Sequence, residues 1–172
     1  ASANRSRLEA LRVDERGRVD IKSMDRDSLC TWLGDELGFS RDRSLIVFKH
    51  LWKDGVGQVD EMRLLGARVR AQLSERVFIP HLESHAVLRS NDGTVKYLWR
   101  LPDGHIIESV LIPEVDRMTL CVSSQVGCAM ACTFCLTGDM GLKRSLLCSE
   151  IVNQPLQVQQ HIGDDRRITN LV

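Results

Sequence analysis

Three thiols sit close together in the run Cys128-Ala-Met-Ala-Cys132-Thr-Phe-Cys135, spaced C-x3-C-x2-C. Thiolates this near one another can grip a single metal centre. A closed structural zinc site takes four ligands, and no well-placed fourth ligand is evident in the chain. A four-iron cluster held by only three cysteines leaves one iron open to an outside ligand. Spacing alone leaves iron–sulfur and zinc both open. The full set is Cys30, Cys121, Cys128, Cys132, Cys135 and Cys148. In a reducing cytosol such a cluster is more often metal-binding or catalytic than a disulfide framework. Cys30 and Cys148 fit no motif. His81, Glu83 and His85 alternate along the chain and imitate a metal site only weakly.

The elements that must position these thiols fall into two textures. Residues 1–22 are charged and weakly patterned, and read as a flexible arm. Residues 23–80 read as a helical N-terminal domain. Its first helix covers 23–37, with Leu29, Trp32, Leu33 and Leu37 at helical spacing and Gly38 as a stop. A second covers 42–53 and a third 59–76, the latter with Met62, Leu65, Val69 and Leu73 on one stripe. Residues 84–113 then read as an antiparallel meander linking two domains. Its strands, 84–90, 94–101 and 105–112, are separated by the turns Asn91-Asp92-Gly93 and Pro102-Asp103-Gly104. Residues 118–123 suit a buried strand, the cysteine loop follows, and Ser149 opens a helix toward His161 that Pro155 should interrupt or kink. Residues 167–172 read as another buried strand. Strand, loop, helix, strand is one βαβ unit, which belongs to a parallel sheet or barrel. The fold class is therefore α/β.

Bulk composition sets limits. The chain has 172 residues, 43% of them hydrophobic, which is enough for a packed core. Basic and acidic side chains balance at 23 each, so net charge makes no case for nucleic acid. Any RNA contact must be local; candidates are Arg41, Arg43, Lys49, Lys53, Arg63, Arg68 and Arg70, although a solvated charged face explains most of them. No stretch approaches the roughly 20 apolar residues of a membrane span. The polar N-terminus lacks the apolar centre of a secretory signal, and the default expectation is the cytoplasm.

Phe134 before the last cysteine fits the pattern of radical S-adenosylmethionine enzymes, and the run from Cys121 to Cys128 (CVSSQVGC), the run from Cys135 to Arg144 (CLTGDMGLKR), Ile112 to Arg117 (IPEVDR) and the hairpin Asn91 to Lys96 (NDGTVK) together resemble the RlmN/Cfr family. These are radical S-adenosylmethionine (SAM) RNA adenine methyltransferases. The resemblance covers residues 45–172 and is densest from 105 to 153. It implies a small helical domain joined to a partial radical SAM (β/α) barrel, of which residues 114–172 are the start. It also implies methylation of an unactivated aromatic carbon: C2 of an adenosine in 23S rRNA and in tRNA, or C8 in Cfr-type members. C2 is the better fit, since nothing here demands the Cfr subtype. A non-catalytic RNA- or zinc-binding remnant is the competing reading.

Residue roles follow from the resemblance. Cys128, Cys132 and Cys135 would ligate a 4Fe-4S cluster, whose open iron is chelated by the amino and carboxylate groups of SAM. An electron delivered by a donor such as flavodoxin would then cleave SAM to a 5′-deoxyadenosyl radical. The family's methyl group is first carried on a C-terminal cysteine. Cys121 matches the cysteine that forms a disulfide with that carrier and so resolves the protein–RNA adduct; taken alone, it reads as a buried strand cysteine. Glu108 matches the proposed base that removes the substrate proton; its apolar strand suggests burial, which would favour the neutral form. The loop from Gly138 to Arg144 could cover cofactor or meet RNA phosphate, or be plain solvated loop. The family's Gly-Glu-Pro SAM segment, the rest of the barrel and the methyl-carrying cysteine would follow Val172. The chain is thus expected to be an N-terminal fragment, inactive by itself and prone to aggregate through its open half-barrel. The full-length protein is expected to be a monomer.

Overall fold

The computed structural model describes residues 12–128, 130 and 141–172. The chain divides into two compact units, Ala1–Pro80 and His81–Val172.

In the first unit, two helices are placed by their end residues. Helix α1 (Arg26–Leu37) starts where the Asp25 carboxylate accepts from Ser28 N at 2.8 Å. It stops at Gly38, whose φ of 65° is left-handed and whose N–H closes onto Gly34 O at 3.0 Å. Helix α2 (Arg41–Trp52) is capped by the Ser40 hydroxyl. Leu29, Leu33, Val47, Leu51, Met62 and Leu73 are fully buried and make the centre of this unit's core.

Two expectations fail here. Residues 59–76 do not form one helix. A single 3₁₀ turn (Val59–Glu61) is followed by helix α3 (Ala67–Arg76), with Gly66 as its N-cap. Glycine in that position, extended at ψ 153°, ends the apolar stripe's helical register and restarts it. The described part of the supposed arm, residues 12–22, is folded. Strand β1 (Val19–Asp20) pairs in parallel with β2 (Val77–Phe78), and Ile21 is wholly buried in the core. Two apolar residues among many charges were enough to dock this segment.

The second unit is a five-stranded sheet in the order β3-β4-β5-β6-β9. The meander comprises β3 (Glu83–Arg89), β4 (Val95–Arg100) and β5 (Ile106–Pro113), each antiparallel to the next. It continues without a break into β6 (Met118–Cys121), so it is part of the sheet that carries the cysteine loop, not a linker. Asp92 and Asp103 each accept from the backbone two residues on, and Gly93 and Gly104 take positive φ, which forms the two tight turns. After β6 come two short strands, β7 (Gln125–Val126) and β8 (Arg144–Ser145), then helix α4 (Cys148–Ile162), then β9 (Asn170–Leu171), which lies parallel to β6. This is the βαβ unit.

Pro155 does not interrupt α4, which runs through it. The final strand is not buried either: Leu171 is 53% exposed at the sheet edge. Alternation sorts the sheet's two faces. Val95, Tyr97, Trp99, Ile107, Leu111 and Leu120 are buried in one core with Val158 of α4. The opposite face carries Lys96, Leu98, Ile106, Glu108, Val110 and Cys121.

Candidate active site

The cysteine loop leaves the sheet through β7 and returns through β8, which pair antiparallel as Gln125↔Ser145 and Val126↔Arg144. Lys143 N donates to Val126 O and Leu146 N to Ser124 O, both at 2.9 Å. These bonds close a neck at the base of the loop. Gly127 sits in it with φ +75°, and a β-carbon there would lie 1.9 Å from the Gly141 carbonyl oxygen. Only glycine fits.

Cys128 stands one residue beyond Gly127, with a half-buried free thiol whose Sγ accepts from Met130 N at 3.5 Å. Cys132 and Cys135 lie outside the described residues, as does the part of the Gly138–Arg144 loop before Gly141. Among the described residues no group of three His, Cys, Asp or Glu side chains could hold a metal ion. The donor set nevertheless suits an iron–sulfur centre: three soft thiols, one of them free at the mouth of a preformed neck.

Arg144, at the return strand of the neck, is not free to meet phosphate. Its guanidinium grips Glu150 with both arms, Nη1 to Oε2 at 2.7 Å and Nη2 to Oε1 at 2.9 Å, and reaches Asp103 Oδ2 with Nε at 2.6 Å. Glu150 is only 4% exposed. Its bidentate hydrogen bond is the main cause that raises the Arg144 pKa far above the ordinary value. For Asp103, burial alone would push the carboxyl up; the bonds from Arg144 and His105 N outweigh it and leave the pKa lowered.

Glu108 is not buried. Its side chain is 47% exposed and pairs with Lys96 Nζ at 3.1 Å across the neighbouring strand. Strand alternation explains this, because Ile107 and Ser109 take the inward positions. The desolvation argument for Glu108 therefore fails, and Lys96 is the group that neighbours its carboxylate. Cys121 is also exposed, contrary to its reading as a buried strand residue. Glu108, Cys121, Ser123 and Gly127 line one cleft with Leu98 and Val110. The fold thus brings the two candidate catalytic residues and the neck of the cysteine loop to one place.

His81, Glu83 and His85 do not gather. His85 Nδ1 meets Arg100 Nη2 at 2.9 Å, and Glu83 pairs with the same arginine. Some of the helical unit's basic residues are likewise engaged: Arg41 with Asp27, Lys49 with Asp54, and Arg70 with Leu65 O.

Sequence reasoning missed the glutamines of α4. Gln154 is fully buried; its Oε1 accepts from Ser123 N at 2.9 Å and Ser109 Oγ at 2.8 Å, and its Nε2 donates to Ser123 O at 2.8 Å. Trp99 Nε1 donates to the same Ser109 hydroxyl at 2.9 Å. Glutamines at helical spacing look like a solvent face, and nothing local distinguishes these.

The βαβ-bearing sheet, whose first parallel strand leads into the segment that carries the three cysteines, has the architecture of the start of a radical SAM core, preceded by a helical unit. A solved radical SAM methyltransferase from Sphaerobacter thermophilus superimposes with a TM-score of 0.80 at 34% identity, over 88% of this chain and 45% of that one. The dual-specificity RNA methyltransferase RlmN of Desulfotalea psychrophila is 41% identical over 165 residues, 91% of this chain and 45% of its own length. That of Geobacter sulfurreducens is 49% identical over 144 residues, 84% of this chain and 40% of its own length. No family model matches. Over the residues matched, the chain is similar to the RlmN methyltransferases, and it spans less than half the length of these relatives. None of the helices among the described residues is long and apolar enough to cross a membrane.

Proposed function

We propose that the protein containing these residues is a radical SAM methyltransferase that modifies C2 of adenosine in 23S rRNA and in tRNA. The observation that carries this reading is the cleft in which Glu108, Cys121 and the cysteine-loop neck converge. Cys128, Cys132 and Cys135 would hold a 4Fe-4S cluster, and SAM would bind at its open iron. When bound, cluster and SAM supply a radical able to attack an unactivated C–H bond.

The chain's own residues do the remaining work. Glu108 Oε accepts the proton leaving the adenine carbon. The Lys96 ammonium, 3.1 Å away, pairs with that carboxylate and holds it at the cleft. The exposed Cys121 thiol, as thiolate, would attack the sulfur of the methyl-carrying cysteine: the S–S bond forms as the S–C bond to the RNA adduct breaks, and the carbon keeps the electron pair and takes up a proton to become the methyl group of the released RNA. Electrons come from a reduced flavodoxin-type donor, and the enzyme works as a cytoplasmic monomer.

The test is anaerobic reconstitution of the full-length protein, followed by metal and sulfide analysis and chromatography of digested RNA. Iron with acid-labile sulfide, and methyl at adenosine C2, are expected. About one zinc per chain would sink the reading in favour of a binding module; methyl at C8 would reassign it to the Cfr type.

A further inference from the structure

Helix α4 binds other parts of the second unit through glutamine amides. Gln157 Oε1 accepts from Leu82 N at 2.7 Å, and its Nε2 donates to Leu82 O at 2.9 Å. Gln159 Oε1 accepts from Ile168 N at 3.0 Å, and its Nε2 donates to Arg166 O at 2.7 Å. Gln154 grips Ser123 in the same two-ended way. Ser123 is the residue through which the chain enters the cysteine-loop neck, two residues before β7. Four residues earlier on α4, and so on the same helix face, Glu150 takes the other side of the neck. Its carboxylate receives Arg144 from β8 and accepts from Leu147 N at 2.8 Å. The two positions are coupled, since Gln154 Nε2 also donates to Glu150 O at 3.2 Å. Both side chains are almost wholly buried. Two adjacent positions on one helix thus hold the incoming and the outgoing strand of a single loop.

We infer that Glu150 and Gln154 are positioning residues that fix the neck of the cysteine loop, and through it the pose of Cys128. The inference rests on the proposed iron–sulfur reading only for its consequence on the cluster; its structural half stands without any metal. Neither residue touches a reacting atom. Gln154 sets the entry of the neck, and Glu150, through Arg144, sets its exit.

Gln157→Leu is the matched control. It deletes the same pair of glutamine–backbone bonds from the same helix, away from the neck. Hydrogen exchange is read on the metal-free full-length protein for wild type, Gln154→Leu, Glu150→Gln and Gln157→Leu. With both bonds to Ser123 lost, besides those to Ser109 and Glu150, Gln154→Leu should speed exchange of the Ser123 and β7–β8 amides on the order of tenfold, leaving β3–β5 amides unchanged. Gln157→Leu should act around Leu82 and spare the neck. Unchanged neck exchange in Gln154→Leu, or equal loosening by Gln157→Leu, overturns the inference. Should Gln154→Leu not fold, Glu150→Gln decides it, since it keeps the helix face and removes only the charge that holds Arg144. Neck exchange in Glu150→Gln must then rise while β3–β5 exchange does not, and neck exchange equal to wild type overturns the inference.

After reconstitution, the cluster's midpoint potential and electron paramagnetic resonance signal are compared. A shift in Gln154→Leu or Glu150→Gln, absent in Gln157→Leu, is expected. Identical cluster properties in all four proteins refute the link to Cys128. Wild-type protein that takes up no iron and sulfide refutes the functional reading instead, and the exchange result still judges the positioning role.

Discussion

Replacing Gly127 by alanine should break the cysteine-loop neck, and Gly104→Ala separates the two contributions to that effect. Both glycines hold positive φ, 75° and 83°, so each alanine carries the same left-handed strain, about 1 kcal/mol. At Gly104 nothing lies within 4 Å of the added carbon. At Gly127 the carbon would stand 1.9 Å from the Gly141 carbonyl oxygen, a backbone atom that no rotamer change can remove. The cheapest relief is to part the two strands. That gives up the Lys143–Val126 and Leu146–Ser124 backbone bonds together with the β7–β8 pairing. At roughly 1 kcal/mol per net bond, Gly127→Ala should cost about 2–4 kcal/mol beyond Gly104→Ala, localised at the neck. Chemical denaturation of the two variants measures the difference, and iron and sulfide content after reconstitution reads its effect on the thiols. Gly104→Ala should load like wild type and Gly127→Ala should not. Equal stability and equal loading of the two variants would refute the steric argument.

Two further perturbations act on buried charge. Lys22 is buried, which lowers its pKa from 10.5 to about 8, with Asp20 offsetting part of the effect. Between those values the unfolded chain binds the proton more tightly, so stability of the helical unit should rise with pH from about 8 to 10, by up to about 3 kcal/mol. Lys22→Met should abolish the rise in a pH series of melts; a rise that persists in the variant would assign it to another group. Arg144→Met leaves the buried Glu150 carboxylate uncompensated and should cost about 3 kcal/mol, seen as a melting temperature lower by roughly 10 °C. The lowered pKa of Asp103 gives stability above its ordinary 3.8 that is lost as pH falls through the folded value. That acid-side loss should shrink in Arg144→Met, and an unchanged acid limb would show that Arg144 is not what holds Asp103 ionised.

Elements set by local chemistry were readable in advance. Gly38 ends the first helix as expected, and two Asp-Gly turns set the meander's register, whereas the Asp25 and Ser40 caps start the helices at Arg26 and Arg41 instead of at 23 and 42. Errors arose where distant partners decided. Ile21 sits in a charged stretch, and it is buried in a core cluster whose other members include Leu29, Val47 and Leu73, distant from it in sequence. The stripe Met62, Leu65, Leu73 is buried as expected, but Gly66 breaks the helix beneath it. Glu108 was misread on the sequence's own terms: period-2 alternation with Ile107 already put it on the open face. The cysteine spacing could be read because ligand geometry constrains short intervals. Gln154 could not, because its partners Ser123 and Ser109 lie 31 and 45 positions away.

That division bears on how a metal centre would relate to folding. Small zinc modules build their fold around the ion and are unfolded without it. Here the thiols sit on a loop whose ends are already closed: 16 residues separate Val126 from Lys143, and their backbones are bonded at 2.9 Å. Bringing such ends together costs about 2.5 kcal/mol in its length-dependent part. Sheet pairing, Gln154 and the Arg144–Glu150 pair meet that cost without any metal. Removing iron with a chelator should therefore leave the β3–β6 sheet and the neck intact, with protected Val126 and Lys143 amides and one cooperative transition for the second unit. A metal-free protein that lost its β-sheet circular dichroism would refute this, and would mean that the cluster organises the loop rather than occupying a site the fold has already built.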